Sequence, residues 1–152
     1  MIKNTSSQVT VLSVGPIDQY QITLAEILGQ SNWDLCPEAR WNLESRSNLL
    51  TSLPVLREGN VSIVLCDGDS DSVGWKDILE RLSQEPDPPL VIVTSRQADN
   101  RLWAEALNLG AHDVLAKPYD AAEVSRVLSQ AWLRWAQAGA RSETAGCAAL
   151  SA

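Results

Sequence analysis

The chain is poor in cysteine, in basic charge and in long apolar runs, and each shortage closes off a class of protein. Cys36, Cys66 and Cys147 are odd in number and far apart. They fit neither a disulfide framework nor a C-x-x-C metal or redox site, and read as free thiols of a reducing cytoplasm. Twelve Lys and Arg stand against nineteen Asp and Glu, a net charge of −7, and the basic residues are scattered. Nucleic-acid binding needs them clustered, so it is not expected. No apolar stretch approaches the length of a membrane span, and "MIKNTSSQVT" is too polar for a signal peptide. Gly15 stands alone, so there is no G-x-G-x-x-G and no P-loop, which argues against a nucleotide-binding enzyme.

What is present is a globular composition, 45% apolar and 20% charged, in 152 residues. That length suits one domain with a real core. Residues 1–138 read as that domain, and the small, polar, Ala-rich stretch 139–152 reads as a mobile tail.

Apolar periodicity alternates between two kinds of element. "VTVLSV" (9–14), "VSIVLCD" (61–67) and "PPLVIVTS" (88–95) are β-branched runs apolar on both faces, as in buried strands. "HDVLAK" (112–117) is a shorter one. "WDLCPEARW" (33–41) alternates with period two and carries Pro37, which places it at a sheet edge. Between them lie helical patterns. The first is capped by Asp18, with Ile22, Ala25, Leu28 and Gly29 near helical spacing. A weak helix over 44–57 is interrupted by Pro54. The third, 74–84, groups Trp75, Ile78, Leu79 and Leu82, and the fourth, 98–110, ends at Gly110. The fifth runs 120–139, from Asp120 as cap to Gly139 as stop.

Five strands alternating with five helices predict an α/β protein: a doubly wound, five-stranded parallel sheet with helices on both faces. The second strand is edge-like and the first and third look central, which gives the order 2-1-3-4-5. The functional crevice then lies at the carboxyl ends of the strands. Those ends carry Gly15-Pro16, Asp67, Thr94-Ser95 and Lys117-Pro118. A carboxylate can take a phosphoryl group as nucleophile, and an ammonium and a hydroxyl can then hold the product anion. Each residue alone has a plainer explanation: Asp67 as a turn residue in "DGDSDS", Thr94 as structural, Lys117 as a solvated strand end. Asp67, Asp69 and Asp71 also alternate as in a calcium loop. Ser72 stands where that loop needs Gly, and Ile78 where it needs Glu, so that match is rejected. His112 has no Cys or His neighbour in sequence and reads as a surface or strand-edge residue.

Over about residues 8 to 136 the sequence resembles the receiver domains of two-component response regulators. The resemblance rests on Asp67 after "SIVLC", Thr94 after "VIV", and above all "NLGAHDVLAKPYDAAEV". It implies a flavodoxin-like fold and a role in phosphorelay signalling rather than catalysis. Asp67 matches the phosphoacceptor, Thr94 the switch hydroxyl and Lys117 the phosphate-binding lysine, with a cis peptide before Pro118. Histidine kinases or phosphotransfer proteins are the implied partners. Two departures stand out. Typical receivers end the first strand on an acidic pair that holds Mg²⁺; the matching positions here are Gly15 and Pro16, which leaves Asp67 and the backbone carbonyl of Asp69 as weak metal ligands. The switch aromatic expected three residues before the lysine is Val114, and the nearby aromatic, Tyr119, lies beyond the proline. A phosphorylation-independent pseudo-receiver, acting as a protein-interaction module, is therefore the alternative; a small nucleotide or flavin binder ranks third. Trp103 and Leu107 on the fourth helix and Leu133 on the fifth stand off the core-facing stripes and mark a candidate interaction surface, including for a homodimer.

Overall fold

The computed structural model describes residues 8–29, 40–58, 60–70 and 74–151, with side chains as far as residue 137. Five strands, β1 (Gln8–Val14), β2 (Arg40–Arg46), β3 (Val61–Asp67), β4 (Leu90–Ser95) and β5 (Asp113–Ala116), alternate with five helices. The helices are α1 (Gln19–Gly29), α2 (Leu49–Arg57), α3 (Trp75–Leu82), α4 (Asn100–Asn108) and α5 (Ala121–Ser151). The strands form one parallel sheet in the order β2-β1-β3-β4-β5, the order read from the sequence.

Successive strand residues point to opposite faces, so each strand feeds two cores. On one face Val9, Val11, Ile63, Leu65, Ile92 and Leu115 pack against Leu24, Ile27 and Leu28 of α1 and Val124, Val127, Leu128 and Ala131 of α5. On the other, Leu12, Val14, Val64, Cys66, Val91, Val93 and Val114 meet Trp75, Ile78, Leu79 and Leu82 of α3 and Ala106 of α4. β3 is buried along its whole length, which is why it reads as a continuous apolar run.

Five expectations shift. The second strand is described over 40–46, sharing Arg40 and Trp41 with the expected 33–41; residues 33–39 fall outside the described ones. "RWNLESR" also alternates, has no proline to interrupt its ladder, and turns Trp41 and Leu43 onto the α1–α5 core. Among the described residues it pairs only with β1, so its edge position stands. The second helix consequently starts at Leu49, where Asn48 and Thr51 form a reciprocal cap, and it continues through Pro54. In α1 the inward residues are Leu24, Ile27 and Leu28, while Ile22 is exposed. Ala98, Leu102, Ala106 and Leu109 share one apolar stripe in the sequence of the fourth helix, but Leu109 is exposed; Ala106 is buried, with Ala98 and Leu102 packed beside it. The backbone of α5 passes Gly139, the expected stop, and ends at Ser151. One interior glycine costs a helix only about 1 kcal/mol, and no proline follows it.

Candidate functional site

The period-two alternation that builds the α1–α5 core also delivers the chemistry. Asp67 continues the Ile63–Leu65 row, Thr94 continues from Ile92, and Lys117 continues from Leu115, so all three point to the same face at the carboxyl rim. Asp67 and Thr94 are direct partners in the β3–β4 register. The Lys117 N–H donates to the Ser95 carbonyl at 2.8 Å, and its bond to Pro118 is cis. Lys117 Nζ lies 3.2 Å from Asp67 Oδ1, with both side chains at least nine-tenths buried. The three residues that the sequence singles out therefore meet, although 27 and 23 residues of chain separate them in turn. The crevice above them is small, about 10 Å³, and is lined also by Ser13, Gly15, Pro16, Asp18, Tyr20 and Tyr119.

Asp69 joins through its side chain, which the sequence does not predict. Its Oδ1 accepts a hydrogen bond from the Ser95 hydroxyl at 2.7 Å. Its Oδ2 accepts from the Arg96 backbone N–H at 2.9 Å and faces Lys117 Nζ at 3.4 Å and Arg96 Nε at 3.5 Å. The Asp69 backbone N–H in turn donates to Asp67 Oδ1 at 2.7 Å. Burial alone would raise the Asp69 carboxyl, but the Ser95 hydroxyl, the Arg96 amide and the Lys117 ammonium together hold it below the usual carboxylate range. Lys117 is thus shared by two carboxylates, and its ammonium also sits 5.1 Å from the centre of the Tyr20 ring.

Two aromatic residues close the crevice. Tyr20 meets Tyr119 edge to face, ring centres 6.5 Å apart. Burial pushes the Tyr119 phenol up to about 12; its hydrogen bond with the Thr94 hydroxyl works the other way, while the charges of Asp67, Asp18 and Asp69 reinforce the rise. Behind the site, burial carries the Cys66 thiol well above its ordinary value, and the neighbouring Asp67 adds to this, so Cys66 is an inert core residue. Ser95 is legible in the sequence as a strand-end hydroxyl at the crevice; Arg96 and Tyr20 carry no such signal.

The donor set does not suit magnesium, which prefers six oxygen ligands in near-octahedral array. Gly15 and Pro16 offer no carboxylate, and a Cβ at Gly15 would lie 2.8 Å from Asp67 Cβ, so the end of β1 packs directly on Asp67. Both Asp69 oxygens and Asp67 Oδ1 are already engaged. Asp18 caps α1, accepting from the Tyr20 and Gln21 amides. Among the described residues no three His, Cys, Asp or Glu side chains gather as a metal would require.

A family model, the response regulator receiver domain, matches residues 32–129, well over half of the sequence. The chain belongs to the response regulator receiver family. Solved receivers share its fold at low identity. A signal receiver domain of an HD domain-containing protein from Pseudomonas fluorescens is 22% identical with a TM-score of 0.68, covering 86% of this chain and 98% of that one. A CheY-like receiver domain protein from Methanospirillum hungatei is 15% identical with a TM-score of 0.69, again covering 86% and 98%. An orphan response regulator of H. pylori is 17% identical with a TM-score of 0.62, covering 82% and 96%. No curated protein matches the sequence. The family match begins at residue 32, so β1, which ends on Val14 just before Gly15-Pro16, lies outside it while holding its place in the receiver sheet.

The other predicted residues lie away from the crevice. Trp103 and Leu107 of α4 and Leu133 of α5 are 44%, 38% and 39% exposed, large apolar side chains that no core needs. Among the described residues no helix is long and apolar enough to cross a membrane. His112 is half-buried beside β5, its backbone N–H donating to the Val91 carbonyl at 2.7 Å.

Proposed function

We propose that this receiver carries a signal in a phosphorelay, with Asp67 accepting the phosphoryl group from a histidine kinase or phosphotransfer protein. The observation that supports this is the convergence of Asp67, Thr94 and Lys117 at one rim of the sheet. An Asp67 oxygen attacks the donor phosphorus, and the donor's leaving group departs with its bonding electrons. Lys117, already beside that carboxylate, is the cation that pairs with the added charge. Thr94 stands next to Asp67 in register, and its hydroxyl, which donates to the Cys66 carbonyl at 3.4 Å, would turn to the new oxygens. The misfit of the donor set to magnesium makes this receiver atypical and its transfer slow, because the incoming charge is met by one shared ammonium. The role is signalling rather than enzymatic, with Trp103, Leu107 and Leu133 as the docking surface for an output partner or a second copy.

A second reading has its own support in the bare end of β1: a pseudo-receiver that acts through protein contacts without phosphorylation. One experiment separates the two. The full chain is incubated with phosphoramidate, with and without Mg²⁺, and its intact mass is followed alongside Asp67→Asn. Addition of one phosphoryl group to the wild type alone supports the acceptor reading. An unchanged mass after prolonged incubation supports the pseudo-receiver.

A further inference from the structure

The four donors around Asp69 are a hydroxyl, a main-chain amide, an ammonium and a guanidinium, from Ser95, Arg96 and Lys117. Such a set suits a tetrahedral oxyanion. Here the chain supplies the anion itself. We infer that Asp69 is a resident anion: its carboxylate fills an oxyanion site made by Lys117, Ser95 and the Arg96 amide, and competes for Lys117 with any charge that Asp67 acquires.

Three features carry this. Lys117 is almost equidistant from the two carboxylates, at 3.2 Å from Asp67 and 3.4 Å from Asp69, and its remaining side faces the Tyr20 ring. Among the described residues Lys117 is the one ammonium lining the crevice, so a third anion there competes with the two carboxylates for it. Finally, the Asp69 oxygens reach across to the end of β4 and the loop that follows, where Ser95 Oγ also accepts from the Gln97 backbone N–H at 2.9 Å. That loop leads into α4, which Asp99 caps through the Leu102 N–H.

The carboxylate is therefore a clamp as well as a plug. If Asp67 is the acceptor, as proposed above, a phosphoryl group there adds about two negative charges, draws Lys117 and repels Asp69. The departing carboxylate frees Ser95 and Arg96, so charge on Asp67 is passed to the approach to α4 through Asp69. The competition itself does not depend on phosphorylation.

The test uses inorganic phosphate, which transfers no phosphoryl group, so it stands even if Asp67 is never modified. Titration calorimetry compares the full-length wild type, Asp69→Ala, Asp69→Asn and Asp69→Ala with Lys117→Met. Hydrogen exchange at the Arg96 amide is read in each, and circular dichroism checks the fold. The wild type should show no saturable binding at tens of millimolar phosphate. Asp69→Ala should bind at least about tenfold more tightly, and adding Lys117→Met should abolish the gain. The Arg96 amide should exchange faster in Asp69→Ala and slow again with phosphate. If Asp69→Ala does not fold, Asp69→Asn, which keeps an acceptor but loses the charge, should show the same changes at smaller size. Equal phosphate binding by wild type and both Asp69 variants would overturn the proposal, as would a gain that survives loss of Lys117.

Discussion

β3 and β4 end on Asp67 and Thr94–Ser95, and Lys117 follows β5 by one residue. β1 lies beside β3 in the same sheet, yet it ends on Val14 and leaves through Gly15 and Pro16. One half of the rim thus presents two carboxylates, hydroxyls and a buried ammonium, tied to one another by contacts of 2.7 to 3.5 Å. The other half presents backbone, packed so tightly against Asp67 that a side chain at residue 15 has no room. The two halves separate tasks that a receiver ordinarily combines. Among the described residues the dense half carries an ammonium and hydroxyls, groups of the kind that bind anions, and the end of β1 carries no carboxylate for a cation.

The largest effect is expected from breaking the dense half. Lys117→Met leaves two carboxylates facing each other without their shared cation. Urea unfolding should show a loss of about 3–5 kcal/mol, the range for removing one partner of a buried pair. A loss below about 1 kcal/mol would mean that the ammonium is hydrated rather than paired.

Gly15→Asp fills in the bare half. The new Cβ meets Asp67 Cβ at 2.8 Å, so overpacking should cost about 1–3 kcal/mol, with like-charge repulsion added. Millimolar Mg²⁺ should restore part of that stability in the variant and leave the wild type unchanged. A wild type that Mg²⁺ stabilises equally would remove the distinction between the halves.

Asp69→Asn tests the clamp more gently. It should cost about 1–2 kcal/mol at neutral pH by removing charge-assisted hydrogen bonds. Its pH dependence is the sharper readout. The folded Asp69 carboxyl lies below its unfolded value, so its stabilisation is complete above about pH 4, the ordinary aspartate range, and is lost as pH falls through the lower folded value. The acid limb of the stability curve should therefore be shallower in Asp69→Asn than in the wild type. Identical limbs would show that Asp69 is not held in its charged form.

Smallest in its effect on the crevice is Trp103→Ala with Leu133→Ser, since these side chains, 44% and 39% exposed, lie away from it. Its readout is assembly: if α4 and α5 carry a homodimer, sedimentation should shift to monomer. A profile that the substitutions leave unaltered would remove the dimer.

Much of this fold was legible because its central strands are short apolar runs bounded by turn formers. β3 was found to the residue. Asp67, Thr94 and Lys117 were legible as a set because strand ends in a parallel sheet share one rim. The extent of the second strand was less legible, because two period-two patterns meet at Arg40 and Trp41 and local alternation does not choose between them. Leu109 sits on the apolar stripe of α4 yet ends up exposed, since α4 stops at Asn108. The Asp69 clamp was not legible. "DGDS" reads as a turn, and only the approach of the β3 and β4 ends brings Ser95 and Arg96 within reach of its oxygens. Tyr119 likewise takes its place from tertiary contact with Thr94 and Tyr20 rather than from any spacing.

The most direct measurement is a double-mutant cycle in urea on Asp67→Asn and Lys117→Met, which isolates the energy that the two side chains share. Residues in one ion-pair network couple by about 0.5–3 kcal/mol, and the buried 3.2 Å contact places this pair toward the upper part of that range. Losses that simply add, to within about 0.3 kcal/mol, would contradict the pairing on which the anion pocket depends.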